Sequence, residues 1–335
     1  VTDKYAAAGV DISAKNRSNR LVGSLARATF DPHVISEAGF FNGMYEFSGY
    51  ERPLLVSSTD SVGTKTKIAI SLGVYDTVGE DIVNHCVNDI FTCGARPLFF
   101  LDYIGIGRLV PERVEALVGG VAKACKEAGC VLIGGETAEL ADVYHGDDYD
   151  LAGFVIGVVE KEKAIAGKDI REGDAVLGLP STGLHTNGFT LARKIFGDTP
   201  EALGKVYPEL GRPVGEVLLT PHRCYYNDLK DVLPLVRGMA HITGGGLVDN
   251  VPRVIPEGLA VRFDASAWDV PPVFSLMQRL GDIPREEMYR DFNMGVGMVV
   301  VAGQNDAAEL KRRVPELIVI GEVVRQSGAA RVSID

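Results

Sequence analysis

Three short apolar runs in this chain each end on a carboxylate, and segments with helical spacing separate them. Leu54-Leu55-Val56 runs to Asp60, Pro97-Leu98-Phe99-Phe100-Leu101 runs to Asp102, and Cys130-Val131-Leu132-Ile133 runs through Gly134-Gly135 to Glu136. Runs of this length, bounded by turn residues, read as buried strands. Between the second and third, Val114, Leu117, Val118, Val121 and Cys125 recur at three- and four-residue steps, and Pro111 suits a first helical turn. The spacing predicts helices over 65–72, 76–93 and 111–128 and a fourth strand over 151–159. Strands joined by amphipathic helices fold in layers. The first half is therefore expected to form a four-stranded sheet with two or three helices on one face.

The charged stretch Glu160-Lys161-Glu162-Lys163 and the turn at Gly173-Asp174 mark a boundary, giving domains over 1–167 and 168–335. The second is also α/β-layered, so the fold class is α+β. Its strands are expected at 175–179, 239–243, 258–264, 295–302 and 317–324, and its helices at 188–196, 222–233, 246–254, 272–280 and 305–313. Residues 1–50 read as an irregular, mobile, glycine-rich segment, with a tail over 1–20.

Net charge excludes one class of partner. With 34 basic and 45 acidic residues the chain carries −11, which disfavours generic nucleic-acid binding. No run approaches the ~20 apolar residues of a membrane span, and residues 1–20 lack the apolar core of a signal peptide. The five cysteines have no CxxC spacing and read as reduced thiols of a cytoplasmic protein.

Four acids, Asp60, Asp89, Asp102 and Glu136, stand at strand ends or before the Gly94 turn. Converging carboxylates repel by roughly 4 kcal/mol per pair ~4 Å apart at an effective dielectric of ~20, and oxygen-only ligation suits Mg²⁺ with phosphates. Thr59-Asp60-Ser61-Val62-Gly63-Thr64-Lys65 adds a glycine, hydroxyls and a lysine at a strand-to-helix junction, an arrangement that favours anions. Its spacing is not that of a Walker A loop. Ser181-Thr182-Gly183-Leu184-His185-Thr186-Asn187-Gly188 precedes a helix as a second anion cradle, with His185 placed for proton transfer or phosphate contact. Thr243-Gly244-Gly245-Gly246 permits close backbone approach by phosphate or ribose.

Asp89, followed by Gly94-Ala95 and Pro97, matches the nucleotide-binding signature of the aminoimidazole ribonucleotide synthetases, also called phosphoribosylformylglycinamidine cyclo-ligases. The resemblance runs nearly end to end, through Ala8-Gly9-Val10-Asp11-Ile12, the 59–65 and 99–103 segments, Gly134-Gly135-Glu136-Thr137-Ala138-Glu139, Tyr149–Phe154, the 181–188 loop, His241–Gly246 and Met288–Met298. Ser61 and Thr186 replace a usual glycine and serine, and Ala141-Asp142 a common Pro-Gly.

The resemblance implies an ATP-dependent ring closure in purine biosynthesis. Formylglycinamidine ribonucleotide becomes aminoimidazole ribonucleotide through an iminophosphate, releasing ADP and phosphate. It implies a homodimer in which the first domain's sheet pairs with its twofold mate to form a barrel. Asp60, Asp89, Asp102 and Glu136 are then expected to hold Mg²⁺, and Gly63, Thr64, Lys65, Gly94 and Asn187 to contact ATP. The Gly39–Gly49 segment is expected to close over the nucleotide. Ser181, Thr182, Gly183, His185 and Gly244–Gly246 are expected to hold the ribonucleotide, with His185, Lys65 and Asp89 catalytic. Rival readings are another ATP-dependent superfamily member, such as a small-molecule kinase, or a nucleotide binder without turnover. Selenophosphate synthetase would want an early cysteine, whereas the first here is Cys86.

Overall fold

The structure is a computed structural model that describes residues 12–39 and 41–335. The Ala8-to-Asp11 part of the first matching motif, and Phe40, lie outside the described residues. In the first half, elements run α1 (Ile12–Arg27), β1 (Pro53–Ser61), α2 (Lys65–Leu72), α3 (Asp76–Phe91), β2 (Arg96–Ile106), α4 (Pro111–Ala128), β3 (Val131–Glu139) and β4 (Tyr149–Glu160). The strands form a four-stranded sheet in the order β1-β4-β2-β3. β4 is antiparallel to both β1 and β2, and β2 and β3 are parallel, joined through α4.

Helix α3 packs on this sheet, with Ile82, Val83, Cys86 and Val87 fully buried, and α4 packs beside it. Gly79 and Gly120 set that close approach. A side-chain carbon at Gly79 would lie 2.2 Å from the Leu117 carbonyl oxygen, and one at Gly120 would lie 1.9 Å from that of Asp76.

The α1 helix corrects the expectation of an irregular segment over residues 1–50. Ser18, Val22, Leu25 and Ala26 form a single stripe at helical spacing, too narrow to stand out among polar neighbours. The helix end is tied to β3, because the Thr29 hydroxyl accepts the Leu132 N–H at 2.9 Å. Farther on, Ile35 N–H donates to the Met44 carbonyl at 2.9 Å and Glu46 N–H to that of His33 at 2.7 Å, a paired loop whose Tyr45 ring lies 5.6 Å from that of Phe99. This segment covers part of the sheet face away from α3.

The second half contains β5 (Ala175–Pro180), α5 (Phe189–Phe196), α6 (Pro200–Leu203), α7 (Val214–Leu218), α8 (Tyr226–Leu229), β6 (Gly238–His241), α9 (Gly246–Asn250), β7 (Leu259–Phe263), α10 (Pro272–Gly281), α11 (Arg285–Asp291), β8 (Val296–Ala302), α12 (Gln304–Arg313), β9 (Ile318–Arg325) and β10 (Val332–Ile334). Its six-stranded sheet has the order β10-β7-β9-β5-β8-β6, with β8 buried along its whole length. The helix expected over 222–233 shrinks to α8 and a 3₁₀ turn at Leu233–Leu235. Its first residues are held out of the helix by side chains of α3.

Candidate active site

Helix α3 has a second, polar face. Asp81, Asn84, His85, Asn88 and Asp89 recur at three- and four-residue steps in an otherwise apolar helix. The Asp81 carboxylate accepts the His222 N–H at 2.7 Å, and Asn84 donates to the His222 carbonyl at 2.7 Å. Asn88 donates to the Arg223 carbonyl at 2.8 Å and accepts the Tyr225 N–H at 2.9 Å. Three side chains of the first domain thus take the place of helical hydrogen bonds over residues 222–225. His85 and Asp89 are left facing a cleft.

That cleft has a volume of about 630 Å³, and its wall includes Asp60, His85, Asp89, Asn187, His241 and Arg253. His85 Nε2 lies 2.9 Å from Asp60 Oδ2, and its Nδ1 lies 2.7 Å from the Thr186 hydroxyl. His241 Nδ1 lies 2.8 Å from Asp89 Oδ1, and its Nε2 lies 3.0 Å from His222 Nε2. The Ser58 hydroxyl donates to Asp89 Oδ2 at 3.0 Å. One proton arrangement satisfies these contacts with neutral rings. His85 donates to Asp60 and accepts from Thr186, while His241 donates to Asp89 and accepts from His222.

Electrostatics follow from those contacts. Burial works to raise the Asp60 and Asp89 carboxyls. Hydrogen bonds and charge from His85 and His241 outweigh it and hold both below the usual range. For His85, burial lowers the pKa, but Asp60 and Asp89 more than offset this and hold it above an ordinary histidine. His241 goes the other way, because burial dominates over its Asp89 partner. The result is two ionised carboxylates and one imidazole disposed to carry a proton, all in the cleft wall.

Several expected site residues sit elsewhere. Strand register puts Asp60, Gly153 and Asp102 on one rung, so Asp102 lies on the same sheet face as Asp60 but two strands away, roughly 9–10 Å along the sheet. Its carboxyl is buried beneath the helices, and burial pushes its pKa up to about 7. Gly135, its neighbour on β3, leaves the room it occupies, since a side-chain carbon there would fall 1.9 Å from Asp102 Oδ1. Glu136 pairs with Tyr103 and so points to the opposite face, where it is exposed. Neither Asp102 nor Glu136 joins Asp60 and Asp89.

Lys65 is turned into the protein rather than toward the cleft. It is fully buried, and its ammonium faces Asp81 Oδ2 at 2.7 Å and the carbonyls of His185 and Thr220, each at 3.0 Å. Three donors meet three oxygens, so the lysine ties α2 to α3 and to two loops of the second domain. His185 is buried too. Its ring stacks on His222 at 3.9 Å, its Nε2 accepts the Thr182 N–H, and it is absent from the cleft wall. Burial and neighbouring positive groups keep it neutral, well below the usual histidine range.

The remaining expectations divide. Ser181 donates to Asn293, Thr182 donates to the Pro221 carbonyl at 2.6 Å, and the Gly183 carbonyl accepts from Asn293, so that loop is knit to its neighbours. Gly63 and Thr64 form the exposed turn into α2, where Thr64 meets Thr190. Gly94 lies in the turn after α3 and packs near Ile165 of the cleft wall. Asn187 and Gly244 do line the cleft, close to each other, with Gly245 and Gly246 following at the start of α9. Of the segment expected to close over the nucleotide, Gly43 packs against Ile133 of β3 and Tyr45 against Phe99 of β2, and neither lines the cleft. His85, His241 and Arg253 were not singled out from the sequence. The polar stripe on α3 was the available signal for His85.

Residues 45–159 match the family described as AIR synthase related protein, N-terminal domain, and residues 171–333 its C-terminal domain. A phosphoribosylformylglycinamidine cyclo-ligase of Desulfitobacterium hafniense is 48% identical over 334 residues, covering 96% of this chain and 97% of that protein. Its namesake in Geobacillus thermodenitrificans is 46% identical, with 97% of each chain covered. The chain belongs to the AIR synthase family. Solved structures extend the likeness of fold. Thiamine-monophosphate kinase from Stenotrophomonas maltophilia superposes with a TM-score of 0.69 at 15% identity, covering 94% of this chain and 96% of that one. Escherichia coli HypE, a hydrogenase maturation protein, gives 0.63 at 17% identity, covering 94% and 93%. For the AIR synthase family member described here, the cleft between the two matched regions is the site on which His85, Asp89 and His241 converge.

Proposed function

We propose that this chain is an ATP-dependent cyclo-ligase of purine biosynthesis that closes the imidazole ring of formylglycinamidine ribonucleotide, giving aminoimidazole ribonucleotide, ADP and phosphate. The observation that carries the site is the pairing of Asp60 with His85 and of Asp89 with His241 in one cleft wall. Full-length relatives of that name carry the reaction.

An amide oxygen is a poor leaving group, so the reaction first makes it a phosphate ester and then expels phosphate as a tethered nitrogen attacks. His85 is placed to take up the proton that this nitrogen sheds by way of the Thr186 hydroxyl, which donates to its Nδ1, because Asp60 on Nε2 stabilises its charged form. Asp60 and Asp89 are ionised, half-open to the cleft and oxygen-donating, which fits Mg²⁺. Bound there, Mg²⁺ would neutralise phosphate charge. Asp102 and Glu136 do not fit that role. Asn187 offers amide donors on the same wall.

We further propose a homodimer that pairs the uncovered face of the first sheet, where Leu55 and Phe154 are 68% and 42% exposed, into a barrel. Among the described residues no helix is long and apolar enough to cross a membrane. The five thiols are free, and we place the enzyme in the cytoplasm.

A coupled assay of ADP release with formylglycinamidine ribonucleotide tests the reading. ADP and aminoimidazole ribonucleotide should form in equal amounts. ADP formation that ignores this substrate and follows another small-molecule acceptor would favour a kinase instead.

A further inference from the structure

We infer that Arg253 is the anchor for the substrate's 5′-phosphate and sets the preference for a ribonucleotide over the corresponding ribonucleoside. The inference rests on the cyclo-ligase reading above. The acids of the cleft wall, Asp60 and Asp89, come from β1 and α3 of the first domain, whereas Arg253 comes from the 3₁₀ turn Val251–Arg253 of the second. Among the described residues Arg253 is the one arginine or lysine in that wall.

Its backbone is fixed and its head group is not. Arg331 donates to the Pro252 carbonyl at 3.1 Å, to that of Pro256 at 2.9 Å, and to that of Ile255. On the other side, Asn250 donates to the Gly246 and Gly244 carbonyls at 2.9 and 3.2 Å. The turn that carries Arg253 is thus clamped from both ends. Among the described residues, however, no carboxylate, carbonyl or ring holds the Arg253 guanidinium. Arg223, by contrast, is engaged by Asp228 and Glu316. An exposed cation on a rigid turn, unpaired and at the wall of an acidic cleft, is free to take up an anion.

The reaction supplies that anion. The phosphate on the ribose carries nearly two charges at neutral pH, and ring closure leaves it unchanged. With Asp60 and Asp89 given over to Mg²⁺, the side-chain cation this wall leaves for it is Arg253. A guanidinium offers two parallel donors to phosphate oxygens. Holding the phosphate at Arg253 directs it away from Asp60 and Asp89 and turns the reacting amide toward His85. Binding made equally in ground and transition states appears in KM rather than kcat.

The test compares wild type, Arg253→Ala and Arg253→Lys on formylglycinamidine ribonucleotide and on its 5′-dephosphorylated nucleoside, with calorimetric titration of ribose 5-phosphate alongside. Arg253→Ala should raise KM for the ribonucleotide by about tenfold or more, leave KM for the nucleoside unchanged, and weaken ribose 5-phosphate by a similar factor. Arg253→Lys should recover part of the loss, since it keeps the charge without the fork. Equal losses on both substrates, or unchanged ribose 5-phosphate affinity, would overturn the assignment. Failure of the wild type to release ADP would sink the cyclo-ligase reading alone, and the ribose 5-phosphate titration would still decide the role of Arg253.

Discussion

Asp89 and His241 lie 152 positions apart in sequence and meet through a 2.8 Å hydrogen bond from Nδ1 to Oδ1. The bond joins a helix of the first domain to a strand end of the second. It also fixes which ring nitrogen of His241 carries the proton. Asp89→Asn keeps an oxygen in place to accept that bond and removes only the charge. We expect kcat to fall by about 10²-fold or more, with far-UV circular dichroism unchanged. Asp60→Asn should behave alike. Near-normal turnover in both variants would remove the carboxylates from the chemistry.

Lys65 and Asp81 make a different prediction, because their pair is buried on both sides. Burial lowers the lysine pKa and raises that of the aspartate, and each partner's charge opposes the shift. Removing one partner leaves the other charge uncompensated, a loss of about 3–5 kcal/mol. Lys65→Met should therefore destabilise strongly in urea unfolding. The double variant Lys65→Met with Asp81→Leu should be less damaged than the sum of the singles. A lysine serving only to bind phosphate would lower activity and leave the unfolding midpoint where it was.

The first sheet and its helices were legible because their apolar periods are uninterrupted: the predicted 65–72 and 111–128 helices coincide with α2 and α4. Residues 222–225 were not legible, because their conformation is imposed by Asp81, Asn84 and Asn88 from far away in sequence. The site was half legible for the same reason. A strand-end acid announces itself, but only register says which way it points. Asp60 and Asp102 share a rung face, while Glu136 is turned to the other side by one residue of alternation. Likewise the 181–188 loop looked like a ligand cradle, although Asn293 and Pro221 already use its polar groups.

Asp102 carries a measurable penalty. Its folded pKa of about 7 stands above the ordinary 3.8. Below pH ~4 the group is protonated folded or unfolded, and it costs nothing. As pH rises from there to about 7, the unfolded chain loses the proton while the folded one keeps it, so stability falls. Above that range the cost is complete and on the order of a few kcal/mol. Asp102→Asn should thus be stabilising, slightly near pH 5 and most at pH 8, in paired thermal melts. Turnover should persist, because the side chain does not reach the cleft. A variant that gains no stability at pH 8 and loses activity would return Asp102 to the site.

The uncovered sheet face gives the last expectation. Leu55 and Phe154 stand on its open part with Leu101 and Ile156, beside Phe99 under Tyr45, alternating with residues that pack beneath α3. A patch of this kind on one face of a four-stranded sheet marks an association surface, and a second copy of the same sheet is the self-complementary occupant under twofold symmetry. Light scattering after gel filtration should give twice the chain mass of 35.9 kDa. Leu55→Asp places a charge where the two sheets would meet and should shift the protein to monomer while leaving its circular dichroism intact. If the wild type elutes as a monomer at micromolar concentration, or Leu55→Asp stays dimeric, the barrel is wrong and this face is either free or buried by something other than its own twofold mate.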